Sequence, residues 1–187
     1  MSDSIIPLDV PGRLLAKARS YIVALDQLIM DGEQAVSVLV KALPLADSDL
    51  KLKIVLMLGT MADSQVIDPL CNIMRDGCQT ESLRHAASVQ LSLVGGMVKG
   101  SESENLAASL VADLGSDNPM VRANAAFALG WDGNLKAVAP LVDALCDEDF
   151  EVQQAAVSAL SNINDDRLFM ALAERLNRTA SRSGSTS

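Results

Sequence analysis

The stretch Leu110-Val111-Ala112-Asp113-Leu114, followed after a short break by Asp117-Asn118-Pro119-Met120-Val121-Arg122-Ala123-Asn124-Ala125-Ala126-Phe127-Ala128-Leu129-Gly130, comes back later in the chain. It returns as Leu141-Val142-Asp143-Ala144-Leu145 and Glu148-Asp149-Phe150-Glu151-Val152-Gln153-Gln154-Ala155-Ala156-Val157-Ser158-Ala159-Leu160. Leu114 to Leu145 and Val121 to Val152 are both steps of 31 residues. A fixed period of this length marks a repeat architecture and outranks any local motif. In each copy, apolar residues at helical spacing lie on both sides of a polar break, Asp117-Asn118-Pro119 or Asp147-Glu148-Asp149. Pro119 cannot continue a helix but suits the first turn of a new one, and an Asp or Asn before it offers an oxygen to the free N–H groups there. Each copy is thus a hairpin of two helices. Its apolar face is too wide for one partner helix, so neighbouring copies must stack into a continuous core.

Two earlier copies align on the same landmarks, one on Leu39, Leu43, Leu50, Ile54 and Leu58, the other on Leu70, Leu83, Ala87 and Leu91. The step from Leu50 to Leu83 is 33 residues and from Leu83 to Val121 is 38, which implies insertions near 77–82 and 95–105, expected in loops. The resulting expectation is an all-α protein, a short right-handed α-solenoid of about four helix hairpins with flanking capping helices. The expected limits are an extended segment over 1–13, a solenoid over 14–177 and a disordered Ser/Thr-rich tail over 178–187. Within the solenoid, repeats fall near 36–60, 67–95, 106–131 and 137–163. A helix from Leu14 to Met30 caps one end, and one over 168–176 caps the other.

Composition agrees with this reading. At 187 residues the chain is long enough for one well-buried core. With 49% hydrophobic but only 3% aromatic residues, that core must be built from Ala, Leu, Val, Ile and Met, which favours close helix packing over a sheet sandwich. Fifteen Lys and Arg against 24 Asp and Glu leave a net charge of −9. Such a chain, without any Lys/Arg run, repels phosphate backbones and anionic membranes, so no nucleic acid and no membrane surface is expected as partner. Cys71, Cys78 and Cys146 are odd in number and lack paired spacing, and read as buried, reduced thiols. No basic leader and no membrane-length apolar run is present, so a cytoplasmic protein is expected.

Ala139-Pro140-Leu141-Val142 with Ala144-Leu145, an acidic break, then Glu151-Val152 with Ala155-Ala156 and Ala159-Leu160 resembles the HEAT repeat of the phycobilisome-lyase-like subtype. The resemblance spans roughly Val36 to Leu176. It implies HEAT-type hairpins and leaves function open, because the class serves many unrelated roles. The related deoxyhypusine hydroxylases hold a di-iron centre through several His-Glu dipeptides, whereas this chain has a single histidine, His85, followed by Ala86. Bilin lyase subunits have few features beyond the repeats themselves. The resemblance therefore keeps open a subunit that handles a linear tetrapyrrole together with a second repeat protein.

No motif for catalysis, cofactor or metal stands out. There is no glycine-rich phosphate loop on a strand and no nucleophile elbow, and a thiolate nucleophile would have to rely on His85, which is expected to be exposed. The cluster Asp147, Glu148, Asp149 and Glu151 lacks the spacing of a calcium loop and suits helix capping. Arg84 and Arg122 each follow a landmark apolar residue, and each is expected to pair with a carboxylate of a neighbouring repeat.

What remains is the surface. Counted from the landmark at 100° per residue, positions 4, 5, 7 and 8 of each second helix cluster on the core side, and positions 2, 3, 6 and 10 face away, into the expected concave groove. The candidate partner-binding residues there are Leu52, Leu56, His85, Val89, Asn124, Phe127, Trp131, Gln154 and Ser158. Leu56, Val89, Phe127 and Trp131 would form an apolar seam with an aromatic anchor, as a binding surface for another protein would. In the alternative, Ile5 to Pro11 folds across that seam. The function expected is a non-catalytic scaffold or adaptor that binds another protein, with a bilin chromophore as ligand only under the lyase reading.

Overall fold

The computed structural model describes residues 10–23, 31–61, 63–163, 168–170 and 173–174. Among these the regular structure is helical throughout. α1 (Val10–Val23) is followed by α2 (Glu33–Ala42), α3 (Ser48–Leu58), α4 (Ile67–Arg75), α5 (Glu81–Met97), α6 (Ser101–Asp113), α7 (Pro119–Ala128), α8 (Leu135–Ala144) and α9 (Phe150–Asn162). Short 3-10 turns at Leu43–Leu45 and Ser64–Val66 follow α2 and precede α4.

Contacts between elements define the α-solenoid. The second helices stack in chain order, α3 on α5, α5 on α7 and α7 on α9, while the first helices form the other layer, with α6 against α8. α1 lies over α2 and α3 at one end. There the buried Tyr21 hydroxyl donates to the Asp31 carboxylate across the start of the next helix. The core between the layers is a continuous apolar cluster in which Leu39, Leu58, Leu70, Leu91, Leu110, Leu129 and Leu141 are fully buried. Small residues let the later repeats approach closely. Ala125, Ala128, Ala156 and Ala159 are buried, and a Cβ placed on Gly130 would lie 2.6 Å from Ala159 Cα.

The polar breaks cap helices. Asp47, Thr80, Asn118 and Asp149 each accept a backbone N–H from the first turn of α3, α5, α7 and α9, and Pro119 occupies the first turn of α7. Asp149 is thus a cap, while Asp147, two residues before it, holds Arg122.

Three expectations need correction. The lengthened step between Leu83 and Val121 is not mainly a loop: α5 has 17 residues against 10 in α7, so it runs about two turns further, to Met97. The turn then closes at Gly100, whose positive φ of 65° suits glycine. Residues 10–13, expected as extended chain, already belong to α1. Of the three free cysteines only Cys71 is buried, with burial raising its thiol pKa to about 11 and Arg75 opposing the shift. Cys78 and Cys146 are exposed.

Residues 1–9, 24–30 and 175–187 lie outside the described residues, and with them most of the expected extended segment, the end of the first capping helix and the expected disordered tail. Of the expected final helix, residues 168–170 and 173–174 are helical. No helix among the described residues is long and apolar enough to cross a membrane.

Candidate functional site

α5, α7 and α9 lie side by side, and their first turns and outward faces enclose a cleft of about 300 Å³. From α5 it is lined by Glu81 and His85, and from α7 by Met120, Ala123, Asn124 and Phe127. α9 contributes Glu151, Gln154, Ala155 and Ser158. His85 and Phe127 meet across the helix boundary with ring centroids 5.0 Å apart and planes inclined by 60°, within the range of a favourable aromatic pair. Asn124 lies deepest, 8% exposed, with no hydrogen bond from its side chain to another described residue. Glu81 and Glu151 are exposed, make no ion pair among the described residues, and no Lys or Arg lines the cleft.

Of the residues counted onto the groove from the sequence, this cleft brings together His85, Asn124, Phe127, Gln154 and Ser158. Leu52 and Val89 are half-buried and Leu56 is 45% exposed, but none of the three lines it. Trp131 is a correction. It is 6% exposed and packs into the core, because α7 ends at Ala128 and the chain leaves helical register before the indole. The two added turns of α5 receive it: a Cβ on Gly95 would come within 2.6 Å of two indole ring carbons, so only glycine leaves room for the ring. Nearby, Ser92 Oγ donates to the Gly130 carbonyl at 3.0 Å, and the buried Asn134 amide donates to the Leu129 carbonyl at 2.8 Å, which closes the end of α7.

Glu81, Met120 and Glu151 were missed by the sequence reading, although for the last two the signal was present. Both precede the landmark residue by one, and one step back at 100° per residue falls at about 260°, inside the arc of positions 2, 3, 6 and 10.

The two landmark arginines differ. Arg122 reaches the next repeat, donating to both carboxylate oxygens of Asp147 at 2.9 Å and to the Ser116 carbonyl at 2.9 Å. Its hydrogen bonds are the main reason the Asp147 carboxyl stays below the usual carboxylate range. Arg84 was expected to find a carboxylate too, and among the described residues it has none. It is 8% exposed, its Nε has no hydrogen-bond partner among those residues, and Nη2 lies 3.9 Å from Met120 Sδ. A second cleft of about 290 Å³ opens beside Val40, Pro44, Pro69 and Ile73 on the layer of first helices. Among the described residues no group of three His, Cys, Asp or Glu is placed to hold a metal ion.

Residues 107–183 match the family model for HEAT repeats, from α6 through α9 and beyond. No curated protein matches the chain. Among solved structures, an engineered protein from the Northeast Structural Genomics Consortium is 21% identical with a TM-score of 0.50, over 95% of this chain and 81% of that one. A computationally designed armadillo repeat protein for modular peptide recognition is 19% identical with a TM-score of 0.45, over 89% of this chain and 87% of the other. Identity this low speaks for the fold alone, and the first of these likenesses agrees with what the helix contacts establish: the chain is a short α-solenoid whose C-terminal repeats match the HEAT type.

Proposed function

We propose that this chain is a non-catalytic adaptor that binds another protein along the groove of its second helices, with the cleft between α5, α7 and α9 as the centre of contact. The observation that supports this is the cleft itself, where the exposed His85 ring meets the half-buried Phe127 beside Asn124, a buried residue whose side chain makes no hydrogen bond to another described residue. Aromatic groups in a partly desolvated hollow with few polar anchors are the usual centre of a protein contact. Leu56 and Leu93, both about half exposed, extend apolar surface along α3 and α5.

On this reading the repeats are of the phycobilisome-lyase-like subtype and the chain works in the cytoplasm. The chromophore alternative is less favoured, because a linear tetrapyrrole carries propionate groups and, among the described residues, the cleft presents Glu81 and Glu151 with no Lys or Arg to meet them. Affinity capture from the native host, run in parallel with wild type and Phe127→Ser, tests the adaptor role. Proteins retained by wild type and lost from the variant support it. A variant that melts normally and retains every wild-type partner places the interaction elsewhere, and a specific visible absorbance shift on adding a bilin would favour the lyase reading.

A further inference from the structure

Resting on the groove reading above, we infer that the occupant of the cleft is a positively charged side chain, arginine before lysine, presented by an exposed segment of the partner protein. The cleft has the parts such a group needs. Glu81 enters from the first turn of α5 and Glu151 from the first turn of α9, so carboxylates stand on both sides of α7. Neither is engaged by a Lys or Arg among the described residues. Between them, His85 and Phe127 offer ring surface on which a guanidinium plane can stack. Asn124, more than nine-tenths buried and without a side-chain hydrogen bond among the described residues, brings a polar amide to the same hollow.

Other ligand classes fit less well. An apolar side chain would desolvate two carboxylates and the Asn124 amide without replacing their water hydrogen bonds, which costs free energy. An anion would meet two carboxylates here and a net charge of −9 over the whole chain. Arg84 touches Met120 but is not among the lining residues.

The test uses the full chain and four acetylated, amidated pentapeptides that differ only at the central residue, which is Arg, Lys, norleucine or Glu in an Ala/Ser context. Binding is followed by nuclear magnetic resonance through the backbone amides of Asn124, Gln154 and Ser158 and the side-chain amides of Asn124 and Gln154. The Arg peptide should give saturable shifts confined to these residues, with Lys weaker and norleucine at least about tenfold weaker. Its affinity should fall with added salt, and the double variant Glu81→Gln with Glu151→Gln should weaken it about tenfold while melting like wild type, since both residues are exposed. Equal shifts from the Arg and norleucine peptides, lost in Phe127→Ser, would overturn the charge inference and leave the groove reading intact. No cleft shifts from any of the four, either in the wild type or with Arg175, Arg178 and Arg182 changed to Gln, would overturn both.

One further arm separates an external partner from this chain itself, because residues 175–187 contain Arg175, Arg178 and Arg182 and no carboxylate side chain. If the Arg peptide binds about tenfold tighter once these three are changed to Gln, the occupant is the chain's own C-terminal segment and the external partner is overturned.

Discussion

Arg122 and Asp147 join the third hairpin to the fourth through a two-pronged ion pair in which Nε and Nη2 each lie 2.9 Å from a separate carboxylate oxygen. Side-chain exposures of 10% and 16% remove the pair from most solvent screening, unlike the exposed Lys53–Asp49 pair on α3. Asp147→Ala should therefore destabilise the chain by about 1.5 to 3 kcal/mol in chemical denaturation at neutral pH, leaving Arg122 without its acceptor. Acid should have the same effect on the wild type. The folded pKa of Asp147 is depressed, so its contribution is complete above the unfolded value of about 3.9 and disappears as pH falls through the lower folded value. The Ala variant should lose less stability than wild type across that acid window. Parallel acid dependence in the two proteins would show that the pair carries no such linkage.

Ser116 occupies the place of Asp147 one repeat earlier. Asp147 Oδ1 accepts the Asp149 N–H at 2.9 Å, and Ser116 Oγ accepts the Asn118 N–H at 3.3 Å, the same contact displaced by 31 residues. Arg84 likewise holds the position of Arg122, directly after its landmark residue, but has no carboxylate partner among the described residues. Ser116→Asp should supply the missing acceptor and stabilise the protein by about 1 kcal/mol, read as a rise in melting temperature. Arg84→Met should remove that gain, which a double-mutant cycle measures as coupling between the two sites. Equal effects of Ser116→Asp with and without Arg84 would sink the pairing.

The slot that holds Trp131 should not tolerate enlargement on its other wall. Gly95→Val would force side-chain atoms into an indole already in contact with the backbone, and Trp131→Ala would empty the same space. Each should cost about 3 kcal/mol or more by thermal or denaturant melts, through overpacking in one case and a cavity in the other. Retention of native stability by Trp131→Ala would contradict the burial of the ring.

The legibility of this fold follows its regularity. The last two hairpins could be read from Leu114, Leu145, Val121 and Val152 because their caps, landmarks and small core residues recur in step. The long α5 could not, since Gly95-Gly96 reads as a break: glycine weakens an isolated helix, and only the indole arriving from residue 131 makes its small size an advantage. The same tertiary contact hid the fate of Trp131, whose helical register was extrapolated three residues past the last helical residue, Ala128. Within intact helix the wheel count placed His85, Asn124, Phe127, Gln154 and Ser158 in one cleft. It left out Met120 and Glu151 only because it began at the landmark and did not run backwards into the first turn. Arg84 shows a further limit: it holds the place of Arg122 in the pattern, yet among the described residues it meets Met120 Sδ, and the position matching Asp147 is Ser116.

Phe127 and Leu129 are two residues apart yet should separate binding from stability. Phe127 is half-buried, lines the cleft and meets His85 in a tilted ring contact, whereas Leu129 is fully buried in the core between the two layers. Phe127→Ser should lower stability by only about 1 kcal/mol, the loss of one aromatic contact and part of its burial, while weakening partner binding tenfold or more. Leu129→Ala should cost about 2 to 5 kcal/mol through the cavity it leaves, and should retain partner affinity at temperatures where it is still folded. Thermal melts and binding isotherms on both variants decide the matter. A Phe127→Ser protein that melts as early as Leu129→Ala would make the ring a core element and remove the cleft as a free surface. If it melts normally and binds as tightly as wild type, the partner docks elsewhere, and the second cleft beside Pro44 and Pro69 becomes the next surface to mutate.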